Sequence, residues 1–416
     1  MRKKSKNNIY MKELLIFSLL ICFFSVRSQT TQEFFESGVV KYKAGDFLKA
    51  ESDFTNSIIA DAGFVQAYRY RGMSKMQQHN YSGALDDFDM MVKLDSSQAL
   101  GYYNRASALY YIKNENEALK DVSKSIELKS DFAEAYVLRA KLYNDAQNFK
   151  EAANDLNKAI NLGPQSAEAY YNRAFARYNL KDFEGAIVDI DNAIAIDNTN
   201  AEFYFIRGTA KAELRYFSDA IRDFSSAIEH NSKEPKYFYY RGIIKNEVKD
   251  IEGSLNDFNE AINIDPDNYS YYKRRAIAKM YLRNFPGATE DLNIAVTLAP
   301  DVADNYFSRA MIYSELKQFE DAISDFDKAI QIDSSAYYYF YNRGLAKYNI
   351  NDIEGAGEDF GLTIQLAPKY AKAYEYKGLC EIRLGKLDEA CGHFKKAETL
   401  GDKEAVVQSK KYCLSQ

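Results

Sequence analysis

Apolar and polar positions along this chain recur every 34 residues from residue 31 to residue 404, eleven units without an insertion or deletion. Small residues set the register: one column runs Gly38, Gly72, Ala106 and onward to Gly378, and a second, twelve residues later, runs Ala50, Ala84, Ala118 and onward to Ala390. An aromatic stands four residues before each member of the first column (Phe34, Tyr68, Tyr102, through Tyr374), and a bulky apolar residue four after each member of the second (Phe54, Phe88, Val122, through Phe394). A spacing of four keeps each pair on one helical face. Between the columns lie turn signals such as Gly45-Asp46, His79-Asn80, Lys181-Asp182, Lys249-Asp250 and Asn351-Asp352, where Asp or Asn is placed to cap the following helix. Pro164, Pro266, Pro300 and Pro368 share one slot near the end of the unit, where a helix cannot continue. Each unit is therefore expected to be a helical hairpin, and the chain an all-α solenoid with units starting near 31, 65, 99, 133, 167, 201, 235, 269, 303, 337 and 371.

At these positions the chain resembles the tetratricopeptide repeat (TPR) family, whose pattern W-x-x-L-G-x-x-Y…A-x-x-x-F…A…P is matched at the Gly/Ala, Ala, aromatic and Pro slots, as in AYYNRAFARYNLKDFEGAIVDIDNAIAID from Ala169 to Asp197. The resemblance covers all eleven units. It implies a right-handed α-solenoid over residues 29–404, with the first helices lining a concave, partner-binding face. Two departures stand out. Tyr or Phe replaces the family's Trp, and its Leu is Arg or Lys in ten repeats.

That basic column is Arg71, Arg105, Arg139, Arg173, Arg207, Arg241, Arg275, Arg309, Arg343 and Lys377, with Ser37 in repeat 1. An acidic column on the second helix is Asp53, Asp87, Asp121, Asp155, Asp189, Asp223, Asp257, Asp291, Asp325 and Asp359, with His393 in repeat 11. The exceptions fall at opposite ends. Pairing within a repeat strands Asp53 and Lys377, whereas pairing each Asp with the Arg eighteen residues on matches every acid to a base. A forward, inter-repeat ladder is thus expected, against the alternative of two solvated charge faces whose pairs are each worth only ~0.2–1 kcal/mol.

The first 28 residues differ in kind. Arg2, Lys3, Lys4 and Lys6 precede an apolar run, Leu14 to Phe24, and then Ser25-Val26-Arg27-Ser28-Gln29. This is the pattern of a secretory signal cleaved after Ser28, with Met11 as an alternative start. The run is short for a membrane span, and Ile21 before Cys22 does not suit lipoprotein processing. Export to the periplasm or cell surface is the expectation, with membrane association only through a partner or an uncleaved N-terminal segment. Removing residues 1–28 takes six bases and one acid, leaving 48 bases against 59 acids, a net charge of −11. That balance argues against nucleic acid.

Beyond residue 28 the cysteines are Cys380, Cys391 and Cys413. Cys391 and Cys413 lie symmetrically about the Gly401-Asp402 turn, and Cys380 and Cys391 about Gly385-Lys386, so two disulfides compete. Cys391–Cys413 is preferred because it would pin the capping helix expected within residues 403–416. No metal site or cofactor is indicated, since no CxxC motif or His pair is present. Only His79, His230 and His393 occur, each in a different slot, and no phosphate loop, HExxH or Gly-x-Ser-x-Gly motif exists, so no enzyme is expected.

Function is then sought on the first-helix face. The slot after the core aromatic holds Phe35, Tyr103, Tyr171, Phe205, Tyr239, Phe307 and Tyr341, and the same face carries Tyr110, Tyr178 and Tyr348. Asn104, Asn172 and Asn342 add side-chain amides able to bond an extended peptide. An aromatic row of this kind predicts a groove for a protein or peptide partner. A glycan-binding face and a self-assembling filament are the alternatives, and stacking of the rings between repeats is the plain structural explanation.

Overall fold

The computed structural model describes residues 30–163 and 166–413; the signal-like segment, Met11, Cys22 and Pro164 lie outside them. The described residues form 23 helices, α1 to α23 in chain order, and no strand. Odd-numbered helices from α1 (30–43) to α21 (Ala371–Arg383) are the first arms of the hairpins, and even-numbered ones from α2 (Phe47–Ala60) to α22 (Leu387–Thr399) the second. A shorter helix, α23 (Lys403–Cys413), follows. The chain divides into two units, Met1–Ala210 and Lys211–Gln416. Within each, a second helix packs on the first helix of its own repeat and on the first helix of the next, as expected of an α-solenoid.

The turns follow from backbone chemistry. The caps anticipated from the sequence are made: Asp46, Asn80, Asp182, Asp250 and Asp352 each accept a bond from the backbone N–H three residues on. The residue before each cap is left-handed, glycine in the terminal repeats (Gly45, Gly385) but His79, Lys113, Gln147, Lys181, Arg215, Lys249, Arg283, Lys317 or Asn351 between them.

Close approach of the two arms explains the first small-residue column. A Cβ on Gly72 would lie 2.5 Å from the Phe88 ring, and on Gly242 2.9 Å from that of Phe258. Where the column is Ala, the residue sixteen on is usually smaller: Ala106 faces Val122, Ala140 Leu156, Ala174 Ile190 and Ala276 Leu292, all fully buried. Ala310 with Phe326 is the exception.

The same register corrects the ladder. Arg and Asp each precede a member of these facing columns, so they too lie sixteen apart and side by side. Arg71, Arg105, Arg139, Arg173, Arg241, Arg275, Arg309 and Arg343 donate through Nε and Nη2 to Asp87, Asp121, Asp155, Asp189, Asp257, Asp291, Asp325 and Asp359 of their own repeat, at 2.5–3.1 Å. The forward pairing is not formed. What crosses to the neighbour is the third nitrogen. Nη1 reaches back to a short polar residue two positions after the previous Asp: Thr55, Asp89, Ser123, Asn157, Asp191, Ser225, Asn259, Asn293 or Asp327, at 2.6–3.5 Å. The guanidinium also sits 5.5–5.8 Å from the core ring three residues earlier.

The ends are satisfied by other means. Asp53 takes the Ser37 hydroxyl at 2.6 Å and Lys41 Nζ at 2.5 Å. Lys377, which has Gly361 where an acceptor would be, donates to the Gly357 carbonyl at 3.0 Å. His393 meets Glu381 at 2.7 Å. Every Asp of the column is buried, which removes the solvated-face alternative. A further column completes the network: Lys75, Arg177, Lys211, Lys245, Lys279 and Lys347 give each Asp twelve residues on a second cation at 2.8–3.0 Å.

Candidate partner-binding groove

Successive first helices touch one another within each unit, and the cavities open along that row. In the first unit, α5 (Ala99–Tyr111), α7 (Ala133–Asp145) and α9 (Ala167–Asn179) border two cavities of about 400 and 200 Å³. Tyr103, Tyr110, Tyr111, Glu134 and Glu168 line the larger; Tyr171, Asn172, Asn144 and Asp145 line the smaller; Tyr110 and Lys141 belong to both. Lys141 forms an ion pair with Glu168, joining neighbouring repeats. Burial pushes the phenols of Tyr103, Tyr110 and Tyr171 up to about 12, reinforced by the Glu134, Asp145 and Glu202 carboxylates respectively. These hydroxyls therefore stay protonated and able to donate. Among the described residues of this unit two amide atoms are buried without a partner, Asn104 Nδ2 and Asn144 Oδ1.

In the second unit, α15 (Tyr269–Tyr281) and α17 (Ala303–Glu315) border a cavity of about 510 Å³ with a different lining: Met280, Met311, Phe285, Phe307 and Tyr281, with Arg283 and Glu315.

The aromatics of the row, those lining cavities included, are engaged in ring contacts. Six of them contact a ring at the seam with the following repeat in one of two ways. Phe35, Tyr103 and Tyr341 touch the residue just before the next helix (Phe64, Phe132, Tyr370; 4.9–5.1 Å). Tyr171, Tyr239 and Phe307 touch a ring three residues further on (Phe203, Tyr271, Tyr339; 5.2–5.4 Å). Where the first position is aromatic the second is Ala67, Ala135 or Ala373, so only one of these two positions supplies a ring at each seam; Phe35, Phe307 and Tyr341 also meet Tyr70, Tyr338 and Tyr376. Inter-repeat stacking is thus real, and coexists with the cavities. Tyr178 packs on Phe183, and Tyr348 on Tyr376 under the Arg383 guanidinium. Asn172 and Asn342 donate to carbonyls one turn back in their own helices, Glu168 and Tyr338, which leaves their oxygens to act as acceptors. Phe205 is buried, 8% exposed, and cannot serve as an anchor in this state.

Tetratricopeptide repeat models match residues 167–200, 303–335 and 341–405, and a TPR repeat model matches residues 140–181. The chain is a tetratricopeptide repeat protein. No curated protein matches it. Among solved structures it is similar to YrrB, a TPR protein with an unusual peptide-binding site (22% identity over 47% of this chain and 97% of YrrB, TM-score 0.40). It is also similar to yeast Tom70 (13%, 93% of this chain and 96% of Tom70, 0.44) and to a TPR protein from Parabacteroides merdae (17%, 59% and 97%, 0.46). In general terms a TPR array of this kind is a protein-interaction scaffold. Among the described residues no helix is long and apolar enough to cross a membrane.

Proposed function

We propose that this TPR protein is an exported, non-catalytic scaffold that holds a peptide or protein partner along the first-helix row, with the paired cavities of α5, α7 and α9 as its principal anchor points. The observation carrying this reading is the pair of adjoining cavities lined by protonated tyrosines, with Asn172 Oδ1 available as an acceptor beside them. Rings with donor hydroxyls and side-chain amides suit a segment that brings both apolar side chains and backbone polar groups. Export is supported by the N-terminal pattern and fits the Cys391–Cys413 disulfide, since such bonds persist in oxidising compartments.

A photo-crosslinking residue at Tyr111, at the cavity mouth, compared with one at exposed Ile59, tests the groove in the protein's own cells. Protein adducts at Tyr111 that disappear with Tyr171→Ala support it. Equal capture at both sites, or binding confined to a glycan array, overturns it. Cell fractionation with N-terminal sequencing tests export: an intact leader on a cytosolic protein with free thiols would refute it.

A further inference from the structure

The groove slot that holds Lys273 in repeat 8 holds Glu375 in repeat 11. Lys273 pairs with Asp304, the second residue of the following helix α17. The corresponding second residue of α23 is Glu404, and Asp402 stands immediately before that helix. An opposite-charge seam has thus become a like-charge one. Carboxylate oxygens of Glu375, Asp402 and Glu404 lie within 4.8 Å of one another. Glu375 and Asp402 are more than nine-tenths buried. Among the described residues Lys372 alone answers the three charges: its Nζ is 2.7 Å from Glu375 and 3.5 Å from Asp402, and bonded to Glu404.

A second observation singles out Asp402. Its Oδ1 accepts from the backbone of Glu404 and Ala405, while its Oδ2 is buried with no partner. A buried carboxylate oxygen left bare costs free energy unless something coordinates it.

We propose that Glu375, Asp402 and Glu404 form a binding site for a divalent cation, calcium in preference to magnesium, which fastens the start of α23 to α21. Oxygen-only ligands select a hard cation. Two oxygens on one calcium ion can be no further apart than twice its bond length, roughly 4.6–5.2 Å, and oxygens within 4.8 Å of one another are compatible with that limit. Calcium also tolerates irregular shells. Lys372 is the resident competitor, its side chain 36% exposed and free to swing into solvent as the ion enters. With three carboxylates and a competing ammonium, affinity is expected in the weak range of extracellular calcium modules, on the order of 0.1–1 mM. The disulfide Cys391–Cys413 holds the far end of the same helix, so the ion would secure its near end. The site shares no residue with the cavities bordered by α5, α7 and α9.

Titration of calcium chloride alone into the purified, disulfide-intact chain tests this, followed by calorimetry and by amide exchange within α23. One equivalent should bind and slow exchange in α23, with magnesium at least about tenfold weaker. Glu404→Gln, at an exposed side chain that leaves the core intact, should weaken binding by about tenfold or more, through loss of one charged ligand. Lys372→Met, which removes the competing ammonium and keeps its stem, should tighten it. No binding at 5 mM calcium (about five times the expected ceiling) by either the native chain or Lys372→Met overturns the proposal. So does binding indifferent to Glu404→Gln; either result would leave Lys372 as the cluster's only counter-ion.

Discussion

Interior repeats and end repeats solve the same electrostatic problem differently. In repeat 8, Arg275 spends Nε and Nη2 on Asp291 of its own hairpin and Nη1 on Asn259 of the preceding one, and Lys279 adds a second cation. Repeat 1 has no earlier repeat among the described residues to reach, and Ser37 replaces the fork, with Lys41 completing the charge balance on Asp53. Repeat 11 reverses the second pair altogether, with Glu381 facing His393 where seven of the other ten repeats place a cation facing Asp. The contrast teaches that the guanidinium is chosen for its three nitrogens, which serve two repeats at once. Where only one repeat is available, a hydroxyl or a lysine suffices.

The largest test of that contrast is a double-mutant cycle. Arg275→Leu leaves Asp291 buried against Lys279 alone and should cost roughly 3–5 kcal/mol. Urea melts should show strong coupling between Arg275 and Asp291 and almost none between Arg275 and Asp257, the forward partner; the reverse pattern would restore the inter-repeat ladder. Next, Cys413→Ser should loosen the C-terminal end by roughly 2–4 kcal/mol, visible as faster amide exchange in α23 while α13 (Pro235–Glu247) is unchanged. Exchange accelerated equally in both would mean the disulfide stabilises the whole array rather than its end. Gly72→Ala should cost about 1–3 kcal/mol by forcing the Phe88 ring aside, and adding Phe88→Leu should recover most of it. A neutral single mutant would show that the arms can separate freely. The smallest effect is expected at the end of the ladder: Lys377→Met removes one bond to a carbonyl and should cost about 0.5–1.5 kcal/mol. A loss as large as that of Arg275→Leu would erase the distinction between interior and end.

Much of this was legible in the chain. The hairpins, their caps and the capping helix follow from a strict period and from Asx residues at fixed offsets. The symmetric placement of Cys391 and Cys413 matches the bond that forms, and Cys380 is a buried thiol that burial pushes up to about 12, so it stays protonated. The direction of the ladder was misjudged because counting unpaired ends treats Arg and Asp as the sole currency; Ser37, Lys41 and the Gly357 carbonyl lie outside that count. The clue was present, since Gly pairs with Phe and Ala, except Ala310, with Val, Leu or Ile sixteen residues on, and the charges share that offset. The groove was harder. Tyr103 and Phe205 occupy the same slot, yet one lines a cavity and the other is buried. Nothing in the period separates them, because the difference depends on which rings the next repeat supplies. Lys141, Tyr111 and Asn144 were missed for the same reason: cavity walls are assembled from three repeats, and no single column marks them.

The charge network bears on how such an array can change length. Each interior hairpin brings its own acid and its own fork, and asks of its predecessor only a short polar side chain, a requirement met by Thr, Ser, Asn or Asp alike. Excising one interior hairpin, or duplicating one of repeats 2 to 9, as a block of 34 residues would leave no buried carboxylate bare and no guanidinium idle. The repeat is therefore an exchangeable block, and what is particular to this chain lies in its two ends and in its cavities.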